Sequence, residues 1–150
     1  MNKPMFGCVL LTMGTRPQEL KRGVESLKAQ LDVDVDICVV GNGWDPATLF
    51  TDVSTLHLKE NLGIPAGRNA GVKEVHGDLL FFLDDDAYLD DPYTLKKFAD
   101  LFESRKEIGL IQPRVDAAEE TKDLPTPKRW IPRLIKGDKH TPSPATTLWE

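Results

Sequence analysis

The sequence predicts an α/β fold with a mostly parallel central sheet and helices on both faces. Two observations lead to this prediction: short, nearly continuous apolar runs typical of buried parallel strands, and amphipathic segments that alternate with them. The length of 150 residues suits one domain, and 40% hydrophobic with 29% charged residues is typical of globular proteins. Because ligands of such sheets bind beyond the carboxyl ends of the strands, functional residues are expected just after each strand.

Five apolar runs are predicted to be strands. The most apolar of them (LLFFL) has no polar alternation, so we expect it in the middle of the sheet, covered on both faces. The predicted strands are Phe6–Thr12, Val35–Val40, Val53–Leu58, Leu79–Leu83 and Ile108–Ile111.

Three segments between the strands are predicted to be helices. The first covers Arg16–Leu31, with Thr15 as its N-cap and apolar residues on one face. The second covers Pro65–Val75, and its N-terminus is set by the proline. The third begins at Asp91-Pro92, where the aspartate is expected to cap it, and runs to about Lys106.

Charge and composition exclude several classes of protein. The net charge of −5 argues against a general nucleic-acid binder, because such affinity rests on Lys and Arg neutralising phosphates. The sequence has neither a membrane-length apolar stretch nor a signal-peptide pattern. Cys8 and Cys38 lie in strand-like runs without a CxxC motif, which favours buried free thiols over a zinc site. A cytoplasmic location is expected.

The chain is predicted to contain two regions that meet near residue 112. Residues 1–112 hold 12 basic and 18 acidic residues and five of the 11 prolines, whereas residues 113–150 hold the other six prolines. This predicts an α/β core over residues 1–112 and a different, proline-rich region over residues 113–150.

Three consecutive carboxylates, Asp84-Asp85-Asp86, directly follow the most apolar run. Like charges this close repel, by about 4 kcal/mol at a surface-like dielectric, so a compensating cation is expected. If the strand continues, Asp84 and Asp86 project to one side and Asp85 to the other. Two such carboxylates suit Mg²⁺ or Mn²⁺. The other interpretation, a solvated loop that caps the next helix, is favoured for Asp90 and Asp91 only.

Small residues dominate the segment from Asn61 to Gly71 (NLGIPAGRNAG). A helix beginning near Pro65 would present unpaired backbone N–H groups to an anion, and Arg68 in its first turn would add a cation. The alternative is that these small residues only allow tight helix packing. Together with the aspartates, the segment predicts a joint site for an anion and a metal.

Two loops follow the first two strands, at the place where a base and ribose would bind. One runs from Thr12 to Arg16 and the other from Gly41 to Asp45. Asn42 can hydrogen-bond a base or sugar, but Asn-Gly is also a common turn pair. Ordinary turn chemistry is favoured for Asp45, and the two interpretations are balanced for Asn42.

Together these residues resemble the family-2 glycosyltransferases, inverting enzymes with the Rossmann-like GT-A fold of nucleotide-diphospho-sugar transferases. The resemblance spans roughly residues 5–112 and rests on VLLT, VVGNG, NLGIPAGRNAGV and, above all, LLFFLDDDAYL. The order and spacing of these motifs are more specific than any one of them. The family usually has an acidic residue where this chain has Gly41, so the base contact differs here.

The resemblance implies a role for each matching residue. Asp84 and Asp86 match the family's DxD motif, Arg68 matches its ARN-type arginine, and the loop after Thr12 matches its base-binding edge. The predicted donor-nucleotide residues are Thr12, Gly14, Arg16, Asn42, Arg68, Asp84 and Asp85, and the predicted metal ligands are Asp84 and Asp86.

The implied reaction transfers a sugar from a nucleoside-diphosphate sugar to an acceptor hydroxyl, with inversion and with Mn²⁺ or Mg²⁺ as cofactor. Residues 113–150 are expected to begin an acceptor region that continues past the chain, and the general base is expected beyond Glu150. The acceptor, the sugar and the nucleotide are not specified by the sequence. A homodimer that covers an incomplete edge is left open.

Three other functions stay open at this point. Gly14-Thr15-Arg16 suggests a sugar-phosphate nucleotidyltransferase, although that class usually has a longer glycine-rich loop there. A phosphoryl-transfer or receiver-like domain would want its acidic cluster after the first strand, where this chain has Thr12 and Met13. A non-catalytic nucleotide-sugar-binding module is compatible with the absent base.

Overall fold

The computed structural model describes residues 3–116, which form four strands and three α-helices, with a short 3-10 helix at Pro46–Thr48. Short apolar runs form the strands, and amphipathic segments form the helices. The strands are β1 (Met5–Thr12), β2 (Asp34–Asn42), β3 (Ser54–Leu58) and β4 (Leu79–Asp84). The helices are α1 (Pro17–Lys28), α2 (Ile64–Val72) and α3 (Thr94–Ser104).

All four strands run parallel, in the order β3-β2-β1-β4. The two central strands, β1 and β2, are the most buried, and Leu10 pairs in register with Val39 on one side and Leu83 on the other. The predicted parallel α/β fold is therefore confirmed. The central position predicted for Leu79–Leu83 is wrong within residues 3–116, because β4 pairs there with β1 alone and Phe82 is 41% exposed.

Helices lie on both faces of the sheet. Leu20 and Leu27 of α1 and Leu95 of α3 pack with the β1 side chain of Leu10 in one hydrophobic cluster. Val72 of α2 packs in a second cluster, on the other face. Side chains alternate between the two faces of a strand, which is why neighbouring residues of β1 belong to different clusters.

Helix α1 begins one residue later than predicted and ends three residues earlier. Its N-cap is Arg16 rather than Thr15, and no side chain caps it. Leu31, which was predicted inside the helix, lies beyond its end and is 47% exposed. Arg16 is thereby placed at the helix start, directly after the loop that follows β1.

Helix α3 starts at Thr94. The side chain that caps it is Gln30, just beyond the end of α1, and not the predicted Asp91. The buried Gln30 accepts a hydrogen bond from the Leu95 amide at 3.0 Å and donates one to the Asp91 carbonyl at 3.1 Å. Asp91 itself accepts from the Tyr93 amide in the turn before the helix. Gln30 therefore satisfies an N–H of the first turn of α3 that would otherwise lack a partner.

The compact unit that contains these elements ends at Glu107. Residues 108–116 contain neither helix nor strand, so the predicted strand Ile108–Ile111 is wrong. A four-residue apolar run is too short for its periodicity to distinguish a strand from an irregular segment. The predicted division at residue 112 stays a prediction, and residues 117–150 lie outside the described part of the chain.

The two cysteines lie in the two central strands of the sheet. Cys8 and Cys38 are both free and fully buried, as predicted. Burial, with a smaller contribution from Asp36, raises the pKa of Cys8 to about 12. Burial also raises the pKa of Cys38 to about 11.

Within residues 3–116, every helix is too short or too polar to cross a lipid bilayer.

Candidate functional site

The candidate site lies at the carboxyl ends of β1 and β4, where the three aspartates leave the sheet. Strand β4 ends at Asp84, and the Ala87 amide donates to the Asp84 carbonyl at 3.1 Å to close a turn. The strand therefore does not continue past Asp84, and the condition for placing Asp84 and Asp86 on one side of it is not met. Asp85 is the enclosed carboxylate, with 21% of its side chain exposed.

Thr12 ties the end of β1 to this acidic turn. Its buried hydroxyl donates to Asp85 Oδ2 at 2.8 Å and accepts from the Gly14 amide at 2.9 Å. The two predicted loop residues and Asp85 are thus brought together. Because both hydroxyl contacts are short and shielded from water, they fix the orientation of the Asp85 carboxylate.

Two arginines from different elements face the three carboxylates. Arg16, at the start of α1, is paired with Asp86 and lies 3.9 Å from Asp85 Oδ1. Arg68 Nη2 donates to Asp84 Oδ1 at 2.6 Å. Three negative and two positive side chains therefore meet at one edge of the sheet. The pairs are at least partly exposed, so they contribute little to folding stability, about 0–1 kcal/mol each.

Arg68 is positioned by helix α2 and by the exposed face of β4. The helix begins at Ile64, one residue before the predicted start, so Arg68 lies in its second turn rather than its first. The guanidinium carbon stands 5.6 Å from the centre of the Phe82 ring, within the range of a cation–π contact. Arg68 thus has an aromatic support in addition to its carboxylate.

Helix α2 approaches the sheet closely because it has glycines on its buried face. A Cβ at Gly67 would lie 2.5 Å from Leu11 Cδ1, and a Cβ at Gly71 would lie 2.5 Å from Val9 Cγ1. The packing interpretation of the small residues is therefore confirmed, and the anion role of the helix N-terminus stays a prediction. Close packing places the start of α2 near the end of β1.

Asn42 holds the segment that leads into α2. Its side chain is buried, donates to Asn61 Oδ1 at 2.7 Å and accepts from the Leu62 amide at 2.8 Å. Asn61 also accepts from the Gly63 amide at 2.9 Å and donates to the Met13 sulfur. Sequence reasoning did not single out Asn61, although it opens the quoted NLGIPAGRNAGV segment.

Strand β2 continues through Asn42, so Gly41 lies inside the strand rather than in the predicted loop, and there is no room for a side chain at this position. A Cβ on Gly41 would lie 1.8 Å from the Trp44 carbonyl oxygen and 2.6 Å from Pro46 Cδ. The acidic residue that the family usually has at this position is therefore sterically excluded in this chain. Asp45 accepts from the Ala47 amide at 3.0 Å, which confirms the turn interpretation for that residue.

The indole ring of Trp44 leaves no room for a side chain at position 14, where the chain has glycine. The backbone of Gly14 has a φ of 75°, and a Cβ there would lie 2.4 Å from the indole ring of Trp44. The ring thus packs directly on the loop that connects Thr12 with Arg16. Two of the predicted loops are in contact through this pair.

The carboxylates of the acidic turn are compatible with a hard divalent cation that also binds a substrate. In residues 3–116 no three His, Cys, Asp or Glu side chains converge closely enough to hold a metal ion. Mg²⁺ is often held by one or two carboxylates together with substrate phosphates. Asp84 and Asp86, with 70% and 52% of their side chains exposed, are the carboxylates predicted to hold it, and this role stays a prediction.

The sequence matches Glycosyl transferase family 2 over residues 8–147, which is most of the chain. The chain belongs to this family. The matched region includes residues 8–12 of β1, the acidic turn and both arginines. The family resemblance inferred from the motifs is confirmed.

Known proteins with a similar fold or sequence are considerably longer. S. aureus TarS covers 69% of this chain with a TM-score of 0.55 and 22% identity, and the match takes up 20% of TarS. Residues 1–349 of TarS in complex with UDP-GlcNAc give a TM-score of 0.57 at 19% identity, over 82% of this chain and 39% of that one. An uncharacterized Haemophilus influenzae protein is 31% identical over 83 residues, or 55% of this chain and 42% of its own length. The chain thus spans less than half the length of each relative.

Proposed function

We propose that this family-2 chain forms the donor-binding part of a glycosyltransferase that moves a sugar from a nucleoside-diphosphate sugar to an acceptor hydroxyl, with inversion. The observation that carries the proposal is the acidic turn at the end of β4, where Arg16 and Arg68 from two different helices meet Asp84–Asp86. Family membership supports transfer chemistry. The complexes of TarS with UDP and UDP-GlcNAc support a uridine nucleotide as the first donor to test.

The donor diphosphate is proposed to bind between the two arginines. A guanidinium presents a planar fork of N–H donors that matches phosphate oxygens, and two of them supply most of the charge of a diphosphate. Thr12 and Gly14 are proposed to line the base side, next to the indole of Trp44. Asn42 is proposed to act there by holding residues 61–63 in place rather than by donating to the base itself.

Asp84 and Asp86 are proposed to hold Mg²⁺ or Mn²⁺ together with the diphosphate. When bound, such an ion supplies Lewis-acid stabilisation of the leaving nucleoside diphosphate. Asp85 is held by Thr12, which keeps the turn in one conformation while its neighbours bind. Arg68 is proposed to stabilise the remaining negative charge of the leaving group. We assign no general base among residues 3–116.

Binding of UDP and Mn²⁺ to the full chain tests the donor site. We expect stabilisation of several °C when both are present and little with either alone, because only the folded state binds them. Asp86→Asn is expected to lose this stabilisation. Asp100→Asn, which removes an exposed carboxylate paired with Lys96 on α3, is the matched control and is expected to retain it.

Two results would contradict the donor-site proposal. One is an equal shift with UDP in the absence of Mn²⁺, which would remove the metal from the site. The other is full stabilisation of the Asp86→Asn variant, which would move the metal to other residues. Release of UDP from UDP-GlcNAc, followed by chromatography, separates an enzyme from a module that only binds the donor.

A further inference from the structure

Strand β4 places an aromatic ring beside one of the two arginines of the candidate site. We propose that Phe82 is a positioning residue for the donor site, and that its ring holds the Arg68 guanidinium at the carboxyl end of β4 before a donor diphosphate binds. This inference rests on the proposed function, because it concerns how the same site is prepared for its donor.

The hydrophobic core does not require an aromatic residue at position 82. Side chains of a strand alternate between its two faces. Leu79, Phe81 and Leu83 of β4 pack with the cluster under α1 and α3. Leu80 and Phe82 lie on the opposite face, and they are 48% and 41% exposed. The leucine at position 80 shows that this face also accepts an aliphatic side chain.

The contacts of Arg68 give the ring a different role. The guanidinium carbon of Arg68 lies 5.6 Å from the centre of the Phe82 ring, and Nη2 donates to Asp84 at 2.6 Å. Phe82 and Asp84 are two residues apart in β4, so both project from the same face. A guanidinium meets a ring through its flat face, while its N–H groups lie in the plane and stay available to oxygens. The two contacts therefore do not compete.

The ring contact is the one that a bound diphosphate leaves intact. Phosphate oxygens compete with Asp84 for the N–H groups of Arg68, but they do not compete for the ring. Ordering a long side chain when a ligand binds costs affinity. The Asp84 side chain is 70% exposed and restrains the guanidinium only weakly. Because close packing of Gly67 on Leu11 already fixes the backbone of α2, the ring of Phe82 restricts what remains free, the side chain of Arg68.

Calorimetric titration of the full chain with UDP in the presence of Mn²⁺ tests the inference. Phe82→Leu keeps an apolar side chain but removes the ring, and it is expected to weaken UDP binding about two- to fivefold, the equivalent of one exposed cation–π contact. Phe82→Tyr keeps an aromatic face and is expected to retain the wild-type affinity. Leu80→Ala, on the same face of the same strand, is the matched control and is also expected to retain it.

Dependence on Arg68 separates positioning from a merely structural role. Once Arg68→Gln has removed the guanidinium, adding Phe82→Leu is expected to cause no further loss of UDP affinity. An equal loss with and without the guanidinium would overturn the inference. An equal loss in Leu80→Ala would also overturn it, because the effect would then belong to the strand as a whole.

A second readout needs no nucleotide. The ring current of Phe82 is expected to shift the NMR signals of the Arg68 Nε–H and Cδ protons upfield in the wild type, and Phe82→Leu is expected to abolish this shift. A wild type without the shift would overturn the inference. If the wild type shows the shift but binds no UDP, the proposed donor site fails and the positioning role fails with it. If the wild type binds UDP and Phe82→Leu binds it equally well, the inference alone is wrong and the donor site stands.

Discussion

Helices α1 and α3 cover one face of the sheet with large apolar side chains, whereas α2 covers the other with glycines. On the first face the buried cluster includes Leu20, Leu27 and Leu95, each fully shielded from solvent. On the second face the buried cluster consists of Val9, Cys38 and Val40 within residues 3–116. The two faces therefore have different roles. The first face stabilises the fold because it holds most of the buried apolar residues, and the second face positions Arg68 through the close packing of α2.

The largest expected effect is the loss of a leucine from the first face. Leu20→Ala removes a fully buried side chain and leaves a cavity, so it should lower the free energy of unfolding by about 2–5 kcal/mol. Leu58→Ala, on the partly buried edge of the second face, should lower it by less. Urea denaturation measures both, and equal losses would break the comparison between the faces.

A smaller effect is expected from adding a methyl group to α2. Gly71→Ala places a Cβ 2.5 Å from Val9 Cγ1 and 2.7 Å from Val40 Cγ2, and both are stiff, buried side chains. Overpacking of this kind should cost about 1–2 kcal/mol after the gain in helix propensity. The same denaturation experiment measures it. The double variant with Val9→Ala should be less destabilised than the two single costs added together, and simple additivity would show that Gly71 is not packed as described.

The smallest effect is expected in thiol reactivity. Cys8 lies under α1 and α3, and Cys38 lies under the thinner cover of α2. Only the thiolate attacks the reagent. Because the pKa is raised to about 12 for Cys8 and about 11 for Cys38, little thiolate forms near pH 8 and both cysteines should react slowly. Single-cysteine variants, Cys8→Ser and Cys38→Ser, treated with a disulfide reagent should show Cys38 reacting up to about tenfold faster. Faster reaction of Cys8 would reverse the comparison.

The free energy of unfolding should fall at alkaline pH because of the same two thiols. Their folded-state pKa values lie above the usual value of 9.0, so the folded chain favours the protonated form. Stability from keeping the two thiols protonated is fully present below pH 9. It is lost as the pH rises above 9 and through the folded-state pKa values of about 11 and about 12.

The positions of β1 to β4 were predictable from sequence because runs of five to seven residues rich in apolar and β-branched side chains favour strands. The predicted Leu79–Leu83 run became β4 with its carboxylates at the carboxyl end, where Arg68 and Thr12 also lie. The differences between the predicted and the observed β4 have physical causes. The turn at Asp84 depends on a local hydrogen bond, and the edge position of β4 depends on strand pairing, which periodicity does not encode.

Contacts between distant residues were beyond sequence reasoning. Gln30 caps α3 across 65 positions of sequence, and Asn42 holds Asn61 across 19. A polar residue near the end of a helix or strand gives no sign of which distant amide it will satisfy. Thr12 and Asp84–Asp86 were predictable as site residues because they end strands or follow them, whereas their hydrogen-bond and ion-pair partners depend on the tertiary structure.

The lack of space beside Gly41 limits which substitutions this edge of the sheet can accept. Grafting an aspartate at this position, to restore the residue usual in the family, would drive its Cβ into the backbone of residues 44–46. The loop would have to be exchanged as a whole cassette, with the tryptophan and the following proline. If the donor base binds at this edge as proposed, a change of nucleotide preference requires exchange of residues 41–46 as a unit between relatives rather than a point substitution.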